Sequence, residues 1–303
     1  MRSIQLWQAG AVLNRSPKGQ HMGFDYSLNP YRGCSHACRY CYARESHTYL
    51  DLNVAEDFEQ KLFVKENLAV RLNAELRKIP LDAVIAIGTA TDPYQPLEGH
   101  HHLTRQALQL LLESGHPFTV TTKSPLIERD IDLLAAMGAR GQVGVHISLL
   151  STDKKVIRAL EPGTSPPDRR LATIRRLKAA HIPVGVFVAP IIPGLSDQPD
   201  ALKALFSAIR EAGADWAMTS TTRLSDAIRD YFINQVATID PKAAAHIRSL
   251  YGSSQFVEAS YRRVLSRQLD HLYREFQIGR HGPRLHPHRV QEQLEFFEQP
   301  HFS

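Results

Sequence analysis

This chain is poor in sulfur, with three cysteines and four methionines among 303 residues. So few cysteines, and an odd number of them, exclude a disulfide-stapled fold. Long apolar runs are missing too: none approaches the roughly 20 residues that a membrane-spanning helix needs. The opening segment, Met1-Arg-Ser-Ile-Gln-Leu-Trp7, lacks the apolar stretch of a signal peptide. No low-complexity segment interrupts the chain. Extremes of charge are absent as well: a net charge of +5 permits an acidic partner such as nucleic acid without establishing one. What remains is a globular composition, 43% hydrophobic and 22% charged, sufficient for one large α/β domain with a tail or two modest domains. The expected compartment is the reducing cytoplasm, with no membrane association.

The few cysteines are concentrated. Cys34-Ser-His-Ala-Cys38-Arg-Tyr-Cys41 holds all three in a C-x3-C-x2-C run. Thiolates are the preferred ligands of iron–sulfur clusters, and a four-iron cube needs four ligands. Three clustered cysteines leave one iron open to bind a substrate or cofactor directly. A zinc site of three cysteines and His36 is the rival reading, but such sites usually divide their ligands into two pairs far apart in sequence. Cys38 and Cys41 are too close to staple a fold.

Along the chain, strand-like runs alternate with helical periodicity. Residues 1–22 carry Pro, Gly and Ser without a clear period and read as an entry arm. Phe24–Asn29 leads into the cysteine loop, a helix is expected from about Arg39, and a second over 61–78. Ala83–Ile87, Phe118–Thr122, Val143–Ile147, Val184–Val188 and Trp216–Thr219 are apolar runs of the kind buried in parallel sheets. Between them lie amphipathic stretches containing Leu103, Ala107 and Leu111, then Leu171, Ile174 and Leu177, then Leu202, Leu205 and Ile209. Several end in helix-stop chemistry such as Gly115-His-Pro117. Six strands with intervening helices predict an α/β fold, a partial (β/α)6 TIM-type barrel. Beyond residue 225 the pattern turns helical over Ala227–Arg248 and Val257–Phe276, with Ile228, Phe232, Val236, Val264, Leu269 and Leu272 as apolar positions. The expected organisation is therefore an arm (1–22), a core barrel (23–225) and a C-terminal helical appendage with tail (226–303). Basic residues gather at Arg169-Arg170 with Arg175-Arg176, and again between Arg262 and Arg289. The tail His281-Gly-Pro-Arg-Leu-His-Pro-His288 and the run His100-His101-His102 read as exposed rather than metal-binding.

In barrels of parallel strands the working residues sit on loops at the strands' carboxyl ends. The unusual segments fall there: the cysteine loop, Gly88–Glu98 with two prolines, Thr121–Ser124, His146–Ser148 leading to Glu161–Thr164, and Ala189–Gly194. A Pro-Gly pair alone is usually a turn, but five such segments in phase with the strands define a site.

Together, Asn29-Pro-Tyr-Arg-Gly-Cys34, the cysteine run with Tyr40, Thr91-Asp-Pro-Tyr-Gln-Pro96, Thr122-Lys-Ser124, Leu160-Glu-Pro-Gly-Thr164 and Pro190-Ile-Ile-Pro-Gly194 carry a resemblance. They resemble the radical S-adenosylmethionine (SAM) superfamily, in its spore photoproduct lyase-like branch, whose members are often labelled DNA repair photolyase-like. The resemblance covers roughly residues 24–225 and implies an incomplete barrel, a [4Fe–4S] cluster on Cys34, Cys38 and Cys41, and SAM chelated by the open iron. It implies reductive cleavage of SAM to a 5′-deoxyadenosyl radical acting on an unidentified substrate, nucleic acid among the candidates. It also implies a one-electron reductant such as flavodoxin or ferredoxin.

On that resemblance Tyr40 and Tyr42 flank the cluster and adenine. Thr91, Asp92, Ser124 and Ser148 hydrogen-bond the ammonium or ribose, and Lys123 or Arg170 pairs with the methionine carboxylate. Glu161 accepts from a ribose hydroxyl, and the Pro190–Gly194 segment lies against adenine. Spore photoproduct lyase itself uses a further cysteine as hydrogen donor; this chain has none, which leaves a tyrosine or SAM itself as substitutes and argues against the same lyase reaction on DNA. Two other classes stand beside the enzyme reading. An iron–sulfur electron carrier or sensor gains from a fully ligated cluster, and three ligands argue against it. A nucleic-acid-binding module would show salt-dependent binding without SAM, but dense aromatic-basic interleaving is lacking.

Overall fold

The computed structural model describes residues 2–17 and 23–288; Arg289 and the rest of the tail, with the remainder of the arm, lie outside these. The first elements are strands β1 (Ser3–Trp7), β2 (Leu13–Arg15), β3 (Tyr26–Leu28) and β4 (Tyr31–Arg32), followed by a 3₁₀ helix over Tyr42–Leu50. Next come α1 (Glu56–Gln60), β5 (Lys61–Lys65), α2 (Leu68–Leu76), β6 (Ile85–Ile87), α3 (Glu98–His101) and α4 (Leu103–Ser114). The chain continues through β7 (Phe118–Thr122), a 3₁₀ helix over Pro125–Asp130, α5 (Ile131–Ala139), β8 (Val143–Ser148), α6 (Lys154–Leu160) and α7 (Pro167–Ala179). It finishes with β9 (Val184–Ile191), α8 (Pro199–Glu211), β10 (Trp216–Thr221), α9 (Asp226–Ala237), α10 (Pro241–Tyr251) and α11 (Ala259–Glu275).

The main sheet runs β10-β9-β8-β7-β6-β3-β2. All pairings from β3 to β10 are parallel, giving the six parallel strands of a partial TIM-type barrel. Alternation along each strand sorts the side chains. Val143, Val145 and Ile147 on β8, with Val184, Val186 and Val188 on β9, are buried in one core with Leu134, Ile174, Leu177, Leu205 and Phe206 of the surrounding helices. Each such aliphatic side chain contributes about 1.5–3 kcal/mol by leaving water. The opposite face is more open: Thr119, Thr121, Phe187 and Met218 remain partly exposed there. That face is the barrel interior.

Two local expectations are corrected. Residues 61–65 are a strand rather than the start of a helix; β5 pairs with β1 in parallel and β4 antiparallel, burying Leu62 and Val64. The entry arm contributes strands to both sheets: β1 joins the small one, and β2 pairs antiparallel with β3. The helix expected from Arg39 begins only at Tyr42, as a 3₁₀ helix, because the cysteine loop turns through a left-handed Ala37 (φ 55°).

Beyond β10, one helical stretch becomes two, broken at Pro241, where Asp240 caps α10 through the N–H groups of Lys242 and Ala243. Ile228, Phe232 and Val236 are buried, but Val264 is exposed because α11 turns Leu265, Leu269 and Leu272 inward instead. α9 and α10 share an apolar cluster with Cys38, Tyr40, Ile157, Leu160 and Ile192, so this region packs directly on the cysteine loop. The irregular segment after α11 crosses the amino-terminal ends of the strands. Gly279 bridges to Trp216, the His286 N–H donates to the Gly141 carbonyl (3.0 Å), and the His288 N–H donates to the Gly115 carbonyl (2.9 Å). Among the described residues no helix is long and apolar enough to cross a membrane.

Candidate functional site

The cysteine loop leaves β4 through Gly33, whose φ is 77°; a Cβ there would come within 2.8 Å of the Phe58 carbonyl oxygen. Only glycine suits both constraints. The Gly33 carbonyl accepts from Thr91 Oγ1 (2.6 Å) and Gln95 Nε2 (3.1 Å), and Gln95 Oε1 accepts from the Ser35 N–H (3.0 Å). The Thr91–Pro96 segment thus clamps the start of the loop. Arg44, fully buried, holds its far end: Nε donates to the Cys38 carbonyl (3.0 Å), Nη1 to the Val54 and Ala55 carbonyls, and Nη2 to Glu59. Its guanidinium lies over the Phe58 and Tyr231 rings at 5.2 and 4.7 Å. These charge-assisted bonds offset the desolvation of a buried cation.

A second clamp comes from Glu161–Thr164. The Gly163 N–H donates to the His36 carbonyl (3.0 Å), and the Arg39 N–H donates to the Leu160 carbonyl (2.9 Å). A Cβ on Gly163 would come 2.4 Å from the Ser35 carbonyl oxygen, so only glycine lets the two loops touch. Within this clamp, Glu161 and Arg170 form an ion pair whose members are each about 1% exposed. Tyr40 donates its hydroxyl to Glu161, and Arg170 also donates to the Ser148 carbonyl (3.0 Å). Burial would raise the Glu161 carboxyl, but Arg170, Lys123 and the hydrogen bonds hold it below its usual range. Burial and Glu161 together push the Tyr40 phenol up, which keeps it a donor.

A third set of contacts centres on Asp92. Its Oδ1 accepts from Thr122 Oγ1 (2.6 Å) and the Tyr94 N–H (2.9 Å), its Oδ2 from the Lys123 N–H (2.8 Å), and His36 Nδ1 lies 3.2 Å from Oδ2. Burial opposes the charge, yet His36, Thr122 and the Lys123 N–H hold Asp92 well below the ordinary carboxylate range. The Lys123 ammonium lies 5.9 Å from the Tyr40 ring centre. Burial would lower it, but Cys38, Glu161 and Asp92 raise it above its ordinary value.

Tyr40, Thr91, Asp92, Lys123, Glu161 and Arg170 therefore surround one loop. Ser148 stands beside them at the carboxyl end of β8. Tyr42 is exposed and donates to the Thr89 carbonyl. The Ser124 hydroxyl caps the 3₁₀ helix that follows, accepting from the Leu126 N–H (3.2 Å). Pro190 follows a cis peptide bond, and the Gly194 N–H donates to Asp197 (2.8 Å), building the corner into α8. Arg44, Gln95 and Gly163 carry structural weight that sequence reasoning did not single out. Gln95 and Gly163 lie inside the motifs quoted above; Arg44, three residues past the last cysteine, has no sequence signal beyond its proximity.

The cysteines are free thiols, Cys34 and Cys38 buried and Cys41 half-buried. Burial, then Asp92 and Cys41, pushes Cys34 up to about 12, and burial raises Cys38 as well. Thiolates at these positions need a cationic partner. Among the described residues no three His, Cys, Asp or Glu side chains converge on a single-ion position. In an iron–sulfur cube each thiolate binds a different iron. With His36 directed at Asp92, the donor set fits a three-cysteine cluster.

The model of the Radical SAM superfamily matches residues 28–206. An uncharacterized protein, Rv2578c of Mycobacterium tuberculosis, is 37% identical over 275 residues, covering 90% of this chain and 81% of that protein. The Radical SAM Nalpha-GlyT isomerase of Pseudomonas phage M6 is 24% identical over 210 residues, covering 64% of this chain and 41% of the isomerase. In fold the chain is similar to a spore photoproduct lyase variant with bound AdoMet and dinucleoside spore photoproduct. The TM-score is 0.67 and the identity 18%, over 90% of this chain and 79% of that one.

Proposed function

The chain belongs to the radical SAM superfamily and is a radical SAM enzyme, and from that premise we propose that Cys34, Cys38 and Cys41 hold a [4Fe–4S] cluster whose fourth iron binds SAM. When bound, that group would supply one-electron reductive cleavage of SAM and the radical chemistry that follows from it, held by Cys34, Cys38 and Cys41. The protein supplies ligation, orientation and exclusion of water. The observation that carries this reading is the triple clamp on the cysteine loop by Gln95, Arg44 and Gly163, which presents three thiols on one short, fixed segment.

Arg170 is already engaged by Glu161 and the Ser148 carbonyl, so Lys123 is the cation we assign to the methionine carboxylate. The Ser148 hydroxyl, on the interior face, is assigned to the ribose or ammonium. Asp92 orients His36 and the Lys123 backbone, acting on SAM through them. The substrate we favour is a nucleic acid component: the fold likeness to a lyase with bound dinucleoside spore photoproduct supports it, as does the net charge of +5. A one-electron reductant such as flavodoxin or ferredoxin completes the system.

The test is anaerobic reconstitution with iron and sulfide, then dithionite reduction and electron paramagnetic resonance with and without SAM. A reduced [4Fe–4S] signal that shifts on adding SAM, with 5′-deoxyadenosine accumulating, is expected. A cluster indifferent to SAM would return the loop to electron transfer or sensing, and uptake of zinc instead would make it structural.

A further inference from the structure

The helical region beyond β10 has no part in the chemistry above, yet α9 meets the cysteine loop along its whole length. Its residues fall into two neighbouring stripes. Ile228, Phe232 and Val236 recur every four residues and are buried, the apolar face that a helix turns to a core. Tyr231, Gln235 and Thr238 follow a similar spacing beside them, and this second stripe carries polar contacts to the loop.

Three ties hold the helix there. At its start, the Ser225 hydroxyl donates to Glu45 (2.9 Å). In the middle, the Tyr231 ring centre lies 4.7 Å from the Arg44 guanidinium, whose Nε donates to the Cys38 carbonyl (3.0 Å). At its end, Arg39 Nη1 donates to Gln235 Oε1 (2.7 Å) and Thr238 Oγ1 (3.3 Å). Both arginines of the Cys34–Arg44 segment thus reach α9. Arg44 is fully buried, and a desolvated cation gains most from an aromatic face. The cysteines do not share this cover equally. Cys38 is buried in one apolar cluster with Phe232, Ile233 and Val236 of α9. Cys34 packs instead with Ala43 and Phe58, in a cluster to which α9 contributes nothing among the described residues.

We propose that α9 is the water-excluding wall on the Cys38 side of the loop, with Tyr231 and Gln235 as its positioning residues. Tyr231 holds Arg44 and, through it, the Cys38 backbone; Gln235 holds Arg39, the residue that follows Cys38. This deepens the radical SAM reading and rests on it for the wall's purpose, which is to shield the group that the three thiols would hold. The wall itself belongs to the chain and is present without that group.

The test is anaerobic alkylation of the full-length, cluster-free protein with iodoacetamide, each cysteine followed by mass spectrometry. In Tyr231→Ala, Cys38 should react about fivefold faster than in wild type, because access controls the rate of a buried thiol. Cys34 in the same sample should change by less than about twofold. Tyr231→Phe, which keeps the ring, should stay near wild type, and Gln235→Ala should give a smaller acceleration confined to Cys38. Unchanged Cys38 labelling overturns the proposal. So does equal acceleration of Cys34 and Cys38, which would mean that the whole loop had loosened. Where Tyr231→Ala does not melt cooperatively, the half-buried Gln235 decides by the same two criteria. Reconstitution with iron and sulfide separates the two ideas. Tyr231→Ala should lose the cluster's visible absorbance in air faster than wild type, and equal rates would count against the wall. A wild-type protein that takes up no iron loses the cluster reading, while the labelling result still decides the wall.

Discussion

The rim and the floor of the barrel handle polar groups in opposite ways. At the rim, Asp92 accepts three hydrogen bonds, and Glu161 pairs with Arg170 while accepting from Tyr40. The backbone of the cysteine loop is clamped by Gln95, Arg44 and Gly163. One strand step lower, His146 and Trp216 keep buried nitrogens without partners. A permanently held group is best served by a rigid supporting shell whose hydrogen bonds are complete before it arrives. The contrast separates a shell around the cysteine loop whose polar groups are paired from a buried aromatic pair whose nitrogens are not.

The largest effect should come from removing one thiol. Cys38→Ala is expected to reduce bound iron after reconstitution to background, because two thiolates do not retain a cube. Its cooperative thermal transition should survive, since the strands and helices form the main core elsewhere; loss of that transition would count against the division between loop and core. Next is the rim's ion pair. Arg170→Met leaves Glu161 buried without its cation and should destabilise the protein by about 3–5 kcal/mol, read by urea unfolding at neutral pH. A change under about 1 kcal/mol would mean that the pair is not held apart from water.

The floor has an acid signature of its own. His146 titrates near 4 when folded and near its ordinary 6.5 when unfolded, so between these values the unfolded chain binds more protons. Stability therefore falls as pH drops through that window, by on the order of 3 kcal/mol from this residue. His146→Phe should lack this component, gaining on wild type as the pH is lowered from 7 to 4. Parallel stability curves for the two proteins would show that the imidazole is not buried as described. The smallest effect is expected of Gly163→Ala, where a methyl group driven toward the Ser35 carbonyl should cost about 1–3 kcal/mol. A crystal structure of that variant should show the Glu161–Thr164 segment displaced from the cysteine loop; an undisturbed contact would contradict the close fit.

Much of this was legible in the chain. Phe118–Thr122 appears as β7 with the bounds its apolar run predicted, because a strand buried under helices announces itself by composition. The cysteine loop was equally plain, three thiols in eight residues. Lys61–Lys65 was misread as helical because Leu62, Phe63 and Val64 adjoin a true helix at Leu68, and nothing local reveals that β1, more than fifty residues earlier, supplies the strand partner. Thr91 was picked out for its place in a motif, but its bond to the Gly33 carbonyl depends on how two loops from different strands meet. The residues of the floor were hidden for a similar reason: His146 sits in an unremarkable Val-Gly-Val-His-Ile-Ser run.

The alternating α/β order, the grouping of three thiols in one loop and the superfamily were readable from the chain alone, because strand burial and thiol spacing are written in adjacent residues. Only the tertiary structure decided which polar groups are satisfied and which stay open. Satisfaction depends on partners brought together from strands and loops far apart in the chain, as with Gly163 on Ser35 and Trp216 beside His146. A side chain's chemistry is encoded where it stands; its partners are fixed by the packing of the whole barrel.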